Sequence, residues 1–167
     1  MKEITLKEWS AYLPYGLICE VKDQGRIETD TLFGVYDSKE LVFYNIVEFH
    51  QGFESVKPIL YDLSWLTREI THEGETFVPL LNLVDPDKSD WDKMECLEFQ
   101  AVPNIPQSQK WFKVKHLELG EVIQINPFNL EVLPHKLFQK LIEWKFNVFN
   151  LPDELIVRVT EDFNPYK

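Results

Sequence analysis

Three β-type segments in the first third of the chain constrain the fold most strongly. Residues 17–22 (LICEVK), 26–36 (RIETDTLFGVY) and 41–49 (LVFYNIVEF) are rich in Val, Ile, Tyr, Phe and Thr, which are enriched in strands. The short polar segments DQG and DSKE separate them, as turns separate consecutive antiparallel strands. The pattern therefore predicts an antiparallel meander.

Further strands are predicted along the rest of the chain. Residues 56–60 (VKPIL) form the next one, and Pro58 should confine it to an edge or an end, because proline cannot donate to a sheet. Residues 72–83 (HEGETFVPLLNL) resemble a hairpin that turns at Gly74 and stops pairing at Pro79. The remaining predicted strands are LEFQAVP, WFKVKHLEL, EVIQI and, at 155–159, LIVRV.

Two short helices are predicted from their N-terminal signals. Thr5 followed by Glu8 matches a capping box, which predicts a helix over residues 5–13. Asp62 or Ser64 can cap a second short helix, LSWLTREI.

A longer helix is predicted over residues 134–149. Pro134 suits its first turn, and its apolar residues cover more than half of the cylinder, so it should pack on a sheet. Lys145 lies within this apolar face, where we expect a packed stem and an amine that reaches water or a carboxylate. The apolar ridges comprise Leu137, Leu141, Trp144 and Val148, and Phe138, Ile142 and Phe149.

Length and composition favour one domain over residues 1–167. A chain of 167 residues with 44% hydrophobic and 14% aromatic residues can bury a core without a metal or a disulfide. We therefore predict a single-domain α+β fold, mainly an antiparallel sheet, with the long helix of the C-terminal half packed on it and one or two short helices. Residues 85–133 carry the weakest pattern and could be an insertion.

The net charge of −11, from 28 acidic and 17 basic side chains, disfavours direct binding to nucleic acid. It would suit a basic protein partner or a DNA mimic, although solubility explains the same charge. The N-terminus lacks the apolar run of a signal peptide, and no stretch approaches the ~20 apolar residues that span a bilayer. We expect a cytoplasmic protein without a membrane partner, in which Cys19 and Cys96 are reduced and buried.

The acidic segment 85–95 (DPDKSDWDKME) resembles a calcium-binding loop only in part. Its residues match positions 1, 3 and 5 of such a loop, but Asp90 stands where a glycine is needed and Cys96 where a bidentate glutamate is needed. We expect an exposed acidic loop. Its weak metal-ligand candidates are Asp85, Asp87, Asp90 and Asp92.

No catalytic residue or cofactor site is assigned from the sequence. The serines and cysteines lack a glycine-flanked elbow, and the six glycines form no phosphate-binding loop. The histidines are too far apart in sequence for a local metal motif. They are His50, His72, His116 and His135.

Trp91 is the candidate for contact with a partner. The other four tryptophans lie in apolar patterns and are predicted to be in the core, whereas Asp90 and Asp92 flank Trp91. Exposed tryptophans often anchor protein interfaces.

Three segments of the chain have a recognisable sequence, namely LKEWSAYLPYGLICEV, VKPILYDLSWLTREITHEGETFVPLLNL and LIEWKFNVFNLPDELIVRV. Together they resemble a family of small proteins encoded by phages, prophages and other mobile elements of Bacteroidetes bacteria. The three segments occur in the same order as in the family and leave residues 85–133 unmatched. The resemblance implies an origin rather than a reaction and carries over no functional residue.

The expected function is that of a non-catalytic accessory or protein-binding protein of a mobile element. One alternative is a metal-dependent hydrolase or nuclease that uses the scattered carboxylates of the acidic segment. Another is an acidic DNA mimic or inhibitor, which requires carboxylates spaced like phosphates over one face.

Overall fold

The computed structural model describes residues 3–23, 25–36, 40–46, 51–52, 55–100, 110–125 and 133–167. The described chain is α+β, with three mainly antiparallel β-sheets and three short α-helices. The chain divides into two compact units, and the assignment of residues 1–167 to one domain stays a prediction. Unit 1 comprises Met1–Asp62 and Ile142–Pro165, and unit 2 comprises Leu63–Leu141 and Tyr166–Lys167.

Unit 1 is built on a six-stranded sheet with the order β11-β5-β1-β2-β3-β4. The predicted meander is confirmed, but its third strand is shorter than 41–49, because the chain bends at Tyr44 and Asn45. Residues 47–49 lie outside the described part. The strands are β1 (Ile18–Asp23), β2 (Arg26–Tyr36), β3 (Glu40–Phe43), β4 (Gln51–Gly52), β5 (Val56–Leu60) and β11 (Val157–Arg158).

The first helix, α1 (Leu6–Tyr12), forms as predicted. The Thr5 N–H donates to the Glu8 carboxylate at 2.6 Å, and the Glu8 N–H donates to the Thr5 hydroxyl, which completes the capping box. A 3₁₀ turn follows, and Gly16 leaves it with a φ of +65°. Trp9 and Tyr12 of α1 are buried in the core of unit 1.

Pro58 lies in an internal strand rather than in an edge strand. β5 pairs antiparallel with β1 through Val56–Pro58 and parallel with β11 only through Ile59 and Leu60. Pro58 itself is therefore not paired with a residue of β11. Because proline has no N–H, it could not donate a hydrogen bond to β11, and none is needed at this position. The prediction of an edge or an end was wrong for the strand as a whole.

The predicted helix over 134–149 is wrong beyond residue 143. Helix α3 (His135–Glu143) has nine residues, and Lys145 adopts a left-handed conformation with a φ of +64°. The Lys145 N–H donates to the Ile142 carbonyl at 2.9 Å, a bond typical of a left-handed residue that ends a helix. Among the residues that the structure describes, the C-terminal half thus contains no long helix.

The chain beyond Lys145 pairs with another segment instead of continuing the helix. The Tyr61 N–H donates to the Lys145 carbonyl and the Asn147 N–H donates to the Tyr61 carbonyl, both at 2.9 Å, so that Phe146 forms a parallel bridge with Tyr61. The Asn147 side chain also accepts from the Leu151 N–H at 2.8 Å and donates to the Leu151 carbonyl at 2.9 Å. These bonds replace the helical ones.

Lys145 is more deeply buried than the sequence suggests. Its side chain is 3% exposed, and its amine donates at 2.5 Å to the backbone carbonyl of Glu143. The packed stem is as expected, and this bond gives the amine a backbone acceptor.

Unit 2 contains two smaller sheets, a helix and most of α3. The predicted hairpin forms, with Glu73 and Gly74 as its turn. Their φ values of +53° and +81° are both positive, as in a type I′ turn. The next helix, α2, begins at Pro79. The predicted helix LSWLTREI is only a 3₁₀ helix over Leu63–Thr67, because Ile70 begins a strand. The elements are β6 (Ile70–His72), β7 (Glu75–Phe77), α2 (Pro79–Val84), β8 (Met94–Gln100), β9 (Lys110–His116) and β10 (Gly120–Ile125).

The middle region of the chain supplies the three-stranded sheet β10-β9-β8. This confirms strands in LEFQ, WFKVKH and EVIQI, while residues 101–109 lie outside the described part. Within the described residues, no helix combines the length and the apolar character needed to cross a bilayer.

Candidate interaction surface

Phe33 is the extra residue of a β-bulge between β2 and β3. Leu32 pairs with Phe43 and Gly34 pairs with Val42, which leaves Phe33 without a partner in the ladder. A bulge can re-aim a side chain at the surface. Leu32 points into the core and is 1% exposed, whereas Phe33 is 60% exposed.

The ring of Tyr44 lies against the ring of Phe33 on the open face of the sheet. Their centroids are 5.0 Å apart and their planes are inclined at 74°, an edge-to-face arrangement. Tyr44 is 66% exposed, and Ile27, farther along β2, is 62% exposed. We call Phe33 and Tyr44 the aromatic surface. Exposed apolar groups that lie together mark interaction sites more often than scattered ones do.

The buried carboxylate of Asp30 positions Tyr44. Asp30 is 5% exposed and accepts hydrogen bonds from the backbone N–H groups of Thr31 at 2.7 Å, Asn45 at 2.7 Å and Ile46 at 2.9 Å. The side-chain amide of Asn45 donates at 3.0 Å. Burial by itself raises the pKa of Asp30, but these bonds outweigh it and lower the pKa below its usual value. The ionised carboxylate therefore anchors the bend that places Tyr44 beside Phe33.

Cys19 pairs with Asp30 across β1 and β2 and is fully buried, as predicted for this cysteine. Burial and the nearby Asp30 carboxylate raise the pKa of its thiol well above the usual value. Cys96 is only half-buried, which differs from the prediction, and burial raises its pKa to about 11. Both cysteines are free thiols with little thiolate at neutral pH.

Two carboxylates of the acidic segment, Asp85 and Asp90, bind groups of their own loop. The Asp85 carboxylate accepts from the Asp90 N–H at 2.9 Å and from the Ser89 hydroxyl. Asp90 forms an ion pair with Lys93 at 2.7 Å, and the hydrogen bond and charge of Lys93 lower the pKa of Asp90. Asp87 and Asp92 are exposed. In the part of the chain that the structure describes, no three His, Cys, Asp or Glu side chains come together as a metal site would require.

Trp91 is half-buried and contributes to the same loop. Its indole N–H donates to the Asp85 carbonyl at 2.8 Å. The Lys88 amine lies 5.1 Å from the centre of its ring, within the range of a cation–π contact. Trp91 therefore stabilises the conformation of the loop. Its contact with a partner stays a prediction.

The histidines that the structure describes do not lie together in one site. His72 is half-buried and His135 is exposed, while His50 lies outside the described residues. His116 is buried, and its Nδ1 accepts from the N–H groups of Glu118 at 3.1 Å and Leu119 at 3.2 Å. His116 thus holds the turn between β9 and β10.

The aromatic surface is not predicted from the sequence, although two signals are present. The alternation of side chains along β2 places Asp30 on the face that points into the core. A carboxylate buried there needs several hydrogen-bond donors. Gly34 within a strand pattern is a known sign of a bulge. Neither signal identifies Tyr44, because Asn45 and Ile46 reach Asp30 only in the folded sheet.

No protein-family model, no curated protein and no solved structure matches this chain. The resemblance to proteins of mobile elements stays a prediction. The function has to be inferred from the geometry of this chain alone.

Proposed function

We propose that this chain is a non-catalytic protein-binding protein of a phage or another mobile element, and that it binds its partner through the aromatic surface. The observation that carries the proposal is the edge-to-face pair of Phe33 and Tyr44, with both rings more than half exposed. Aromatic side chains provide large contact areas in protein interfaces and are frequent hot spots.

The arrangement beneath the rings supports the same proposal. Asp30 holds the bend next to Tyr44 through three hydrogen bonds from Asn45 and Ile46, and the bulge presents Phe33 outward. A surface that is ordered before binding loses less conformational entropy when a partner arrives.

Photo-crosslinking tests the proposal. Benzoylphenylalanine in place of Tyr44 should yield one predominant covalent adduct in a bacterial host that carries the element, identified by mass spectrometry. The matched control places the same group at Phe163, an aromatic residue of unit 1 that is 39% exposed. We expect no such adduct from position 163.

A competition experiment defines the contribution of the two rings. Excess unlabelled wild-type chain should suppress the adduct, whereas the double variant Phe33→Ser/Tyr44→Ser should not, provided that its circular dichroism spectrum is unchanged. Equal competition by the two proteins would contradict the proposal. Robust turnover by the purified chain in a panel of hydrolase and nuclease substrates would contradict its non-catalytic part.

A further inference from the structure

We propose that protonation of His116 releases the turn that joins β9 to β10, so that unit 2 contains a local pH-sensitive switch. The inference goes beyond the proposed function, because it concerns a turn of unit 2, whereas the aromatic surface belongs to unit 1. It follows from the hydrogen bonds that one buried ring nitrogen accepts.

The Nδ1 atom of His116 is the hydrogen-bond acceptor of the turn. It accepts from the backbone N–H groups of Glu118 at 3.1 Å and of Leu119 at 3.2 Å. A ring nitrogen accepts through its lone pair, so Nδ1 carries no proton, and the proton of the neutral ring is on Nε2. The turn over residues 117–119 is therefore held by the neutral form of His116.

A protonated His116 can make neither of these bonds. Both ring nitrogens then carry hydrogen, so that no rotation of the ring restores an acceptor. The side chain is only 4% exposed, and the two N–H groups would lose their acceptor where little water reaches the ring. The turn has to open before these groups and the charged ring can be hydrated.

The charged groups near His116 lie on the segment before β8 and in the turn itself. The hydrogen bond and charge of Lys93 lower the pKa of Asp90, and an electrostatic interaction with His116 acts in the same direction. The Asp90 carboxylate therefore stays ionised in mild acid and stabilises a positive charge on His116, although its pairing with Lys93 weakens the effect. Glu118 is exposed. Asp90 thus attracts the proton that the closed turn excludes.

The elements that pack around this end of β9 present no other charge to the ring in the described part of unit 2. Opposite His116, β8 contributes Met94 and β10 contributes Gly120. Helix α2 and the 3₁₀ helix Leu63–Thr67, which pack on this sheet, have no titratable side chain. His116 is therefore the group that links the turn to pH, because histidine ordinarily gains its proton between about pH 8 and pH 5.

Opening of the turn changes the surface of unit 2. The closed turn presents two exposed leucines, Leu117 and Leu119, in a fixed arrangement. The Leu117 N–H donates to the Lys93 carbonyl at 2.8 Å, a bond that does not involve His116. In acid we therefore expect Leu117 to stay in place while Glu118 and Leu119 become mobile. The stabilisation by His116 is present at pH 8 and is lost as the pH falls through the range of histidine.

NMR spectroscopy of the full chain tests the switch. At pH 8, the ring of His116 should be the Nε2–H tautomer. Between pH 8 and pH 5, the backbone order parameters of Glu118 and Leu119 should fall from ~0.85 to below ~0.6, with the midpoint of the His116 titration. Those of Phe112 and Val114, which are buried in β9, should stay at ~0.85, because the strand itself remains folded.

The variant His116→Asn separates the proton from the fold. The side-chain oxygen of asparagine accepts from the backbone N–H two residues on at any pH, so the order of the turn should no longer depend on pH. The matched control is His135→Gln, which removes an exposed histidine of α3 and should leave the wild-type response unchanged.

The wild-type spectra are decisive by themselves, even if His116→Asn does not fold. An Nδ1–H tautomer at pH 8, or a turn that stays ordered down to pH 5, would overturn the inference. So would a loss of order that the middle of β9 shares, since the whole sheet would then be unfolding. A response that persists in His116→Asn would exclude His116 as its cause. None of these measurements involves the aromatic surface, so the proposed function stands or falls separately.

Discussion

The Tyr12 hydroxyl donates a 2.6 Å hydrogen bond to the carbonyl of Phe146, a residue 134 positions away in the chain. Both side chains are buried in the core of unit 1, and the ring of Tyr12 also meets that of Phe149 edge to face at 5.8 Å. Desolvation by burial raises the pKa of Tyr12 well above its usual value, so the hydroxyl stays protonated. This bond ties α1 to the segment that leaves the helical path at Lys145.

Tyr12→Phe should reduce the free energy of unfolding by about 1–2 kcal/mol, because the Phe146 carbonyl loses a buried donor while the ring remains. Urea unfolding measures the change as a shift of the midpoint at constant slope. Tyr15→Phe, at a half-buried tyrosine three residues further on, is the matched control and should have little effect. Equal midpoints for Tyr12→Phe and the wild type would contradict the assigned bond.

Lys145→Gly should be more stable than Lys145→Ala by about 1 kcal/mol. Both variants remove the amine and the stem, but only glycine adopts the left-handed conformation at φ +64° without a steric cost. If the helix continued through residue 149, alanine would be the more stable by a similar amount. The sign of the difference in thermal or urea unfolding therefore tests where α3 ends.

Asp30→Asn should lower the free energy of unfolding by about 1–3 kcal/mol at neutral pH, since an amide NH₂ would face backbone N–H donors. The folded-state pKa of Asp30 is lowered, so its stabilisation is present above the unfolded-state pKa of ~3.9 and is lost as pH falls through the folded-state value. The difference between variant and wild type should shrink accordingly in acid. Glu28→Gln, at an exposed position of the same strand, is the control. A difference that stays constant down to pH 2 would contradict the role of the ionised carboxylate.

The two thiols should react slowly and in a fixed order with a disulfide reagent at pH 8. The half-buried Cys96, with a pKa of about 11, exposes only ~0.1% thiolate at that pH and should react first. Cys19 should react only on the timescale of unfolding, because it is fully buried beside Asp30. The variant Cys96→Ser isolates the reaction of Cys19, and rapid labelling of that variant in the native state would contradict its placement.

Several elements follow from signals that are local in the sequence. The Thr5–Glu8 capping box specifies the start of α1, and the apolar and β-branched residues of β1 and β2 specify those strands. Glu73 and Gly74 form the two-residue turn of their hairpin, between the paired residues His72 and Glu75. In each case the residues that cause the structure lie within a few positions of it.

The end of α3 and the aromatic surface depend on partners that are distant in sequence. The helical periodicity of the sequence extends through residue 149. In the structure, however, the backbone of Tyr61 forms hydrogen bonds with the backbone of Lys145 and Asn147. The left-handed residue that ends the helix is a lysine, which gives no sequence signal of a helix end. Likewise, Phe33 turns outward because of how β2 pairs with β3, and Tyr44 stands beside it because Asp30 binds the next two residues. The sequence alone thus determined the α+β class, the meander and the capped helix through short-range propensity. The tertiary structure decided where the last helix ends and which rings face the solvent, because backbone groups bond to whichever partner the completed sheet brings within reach.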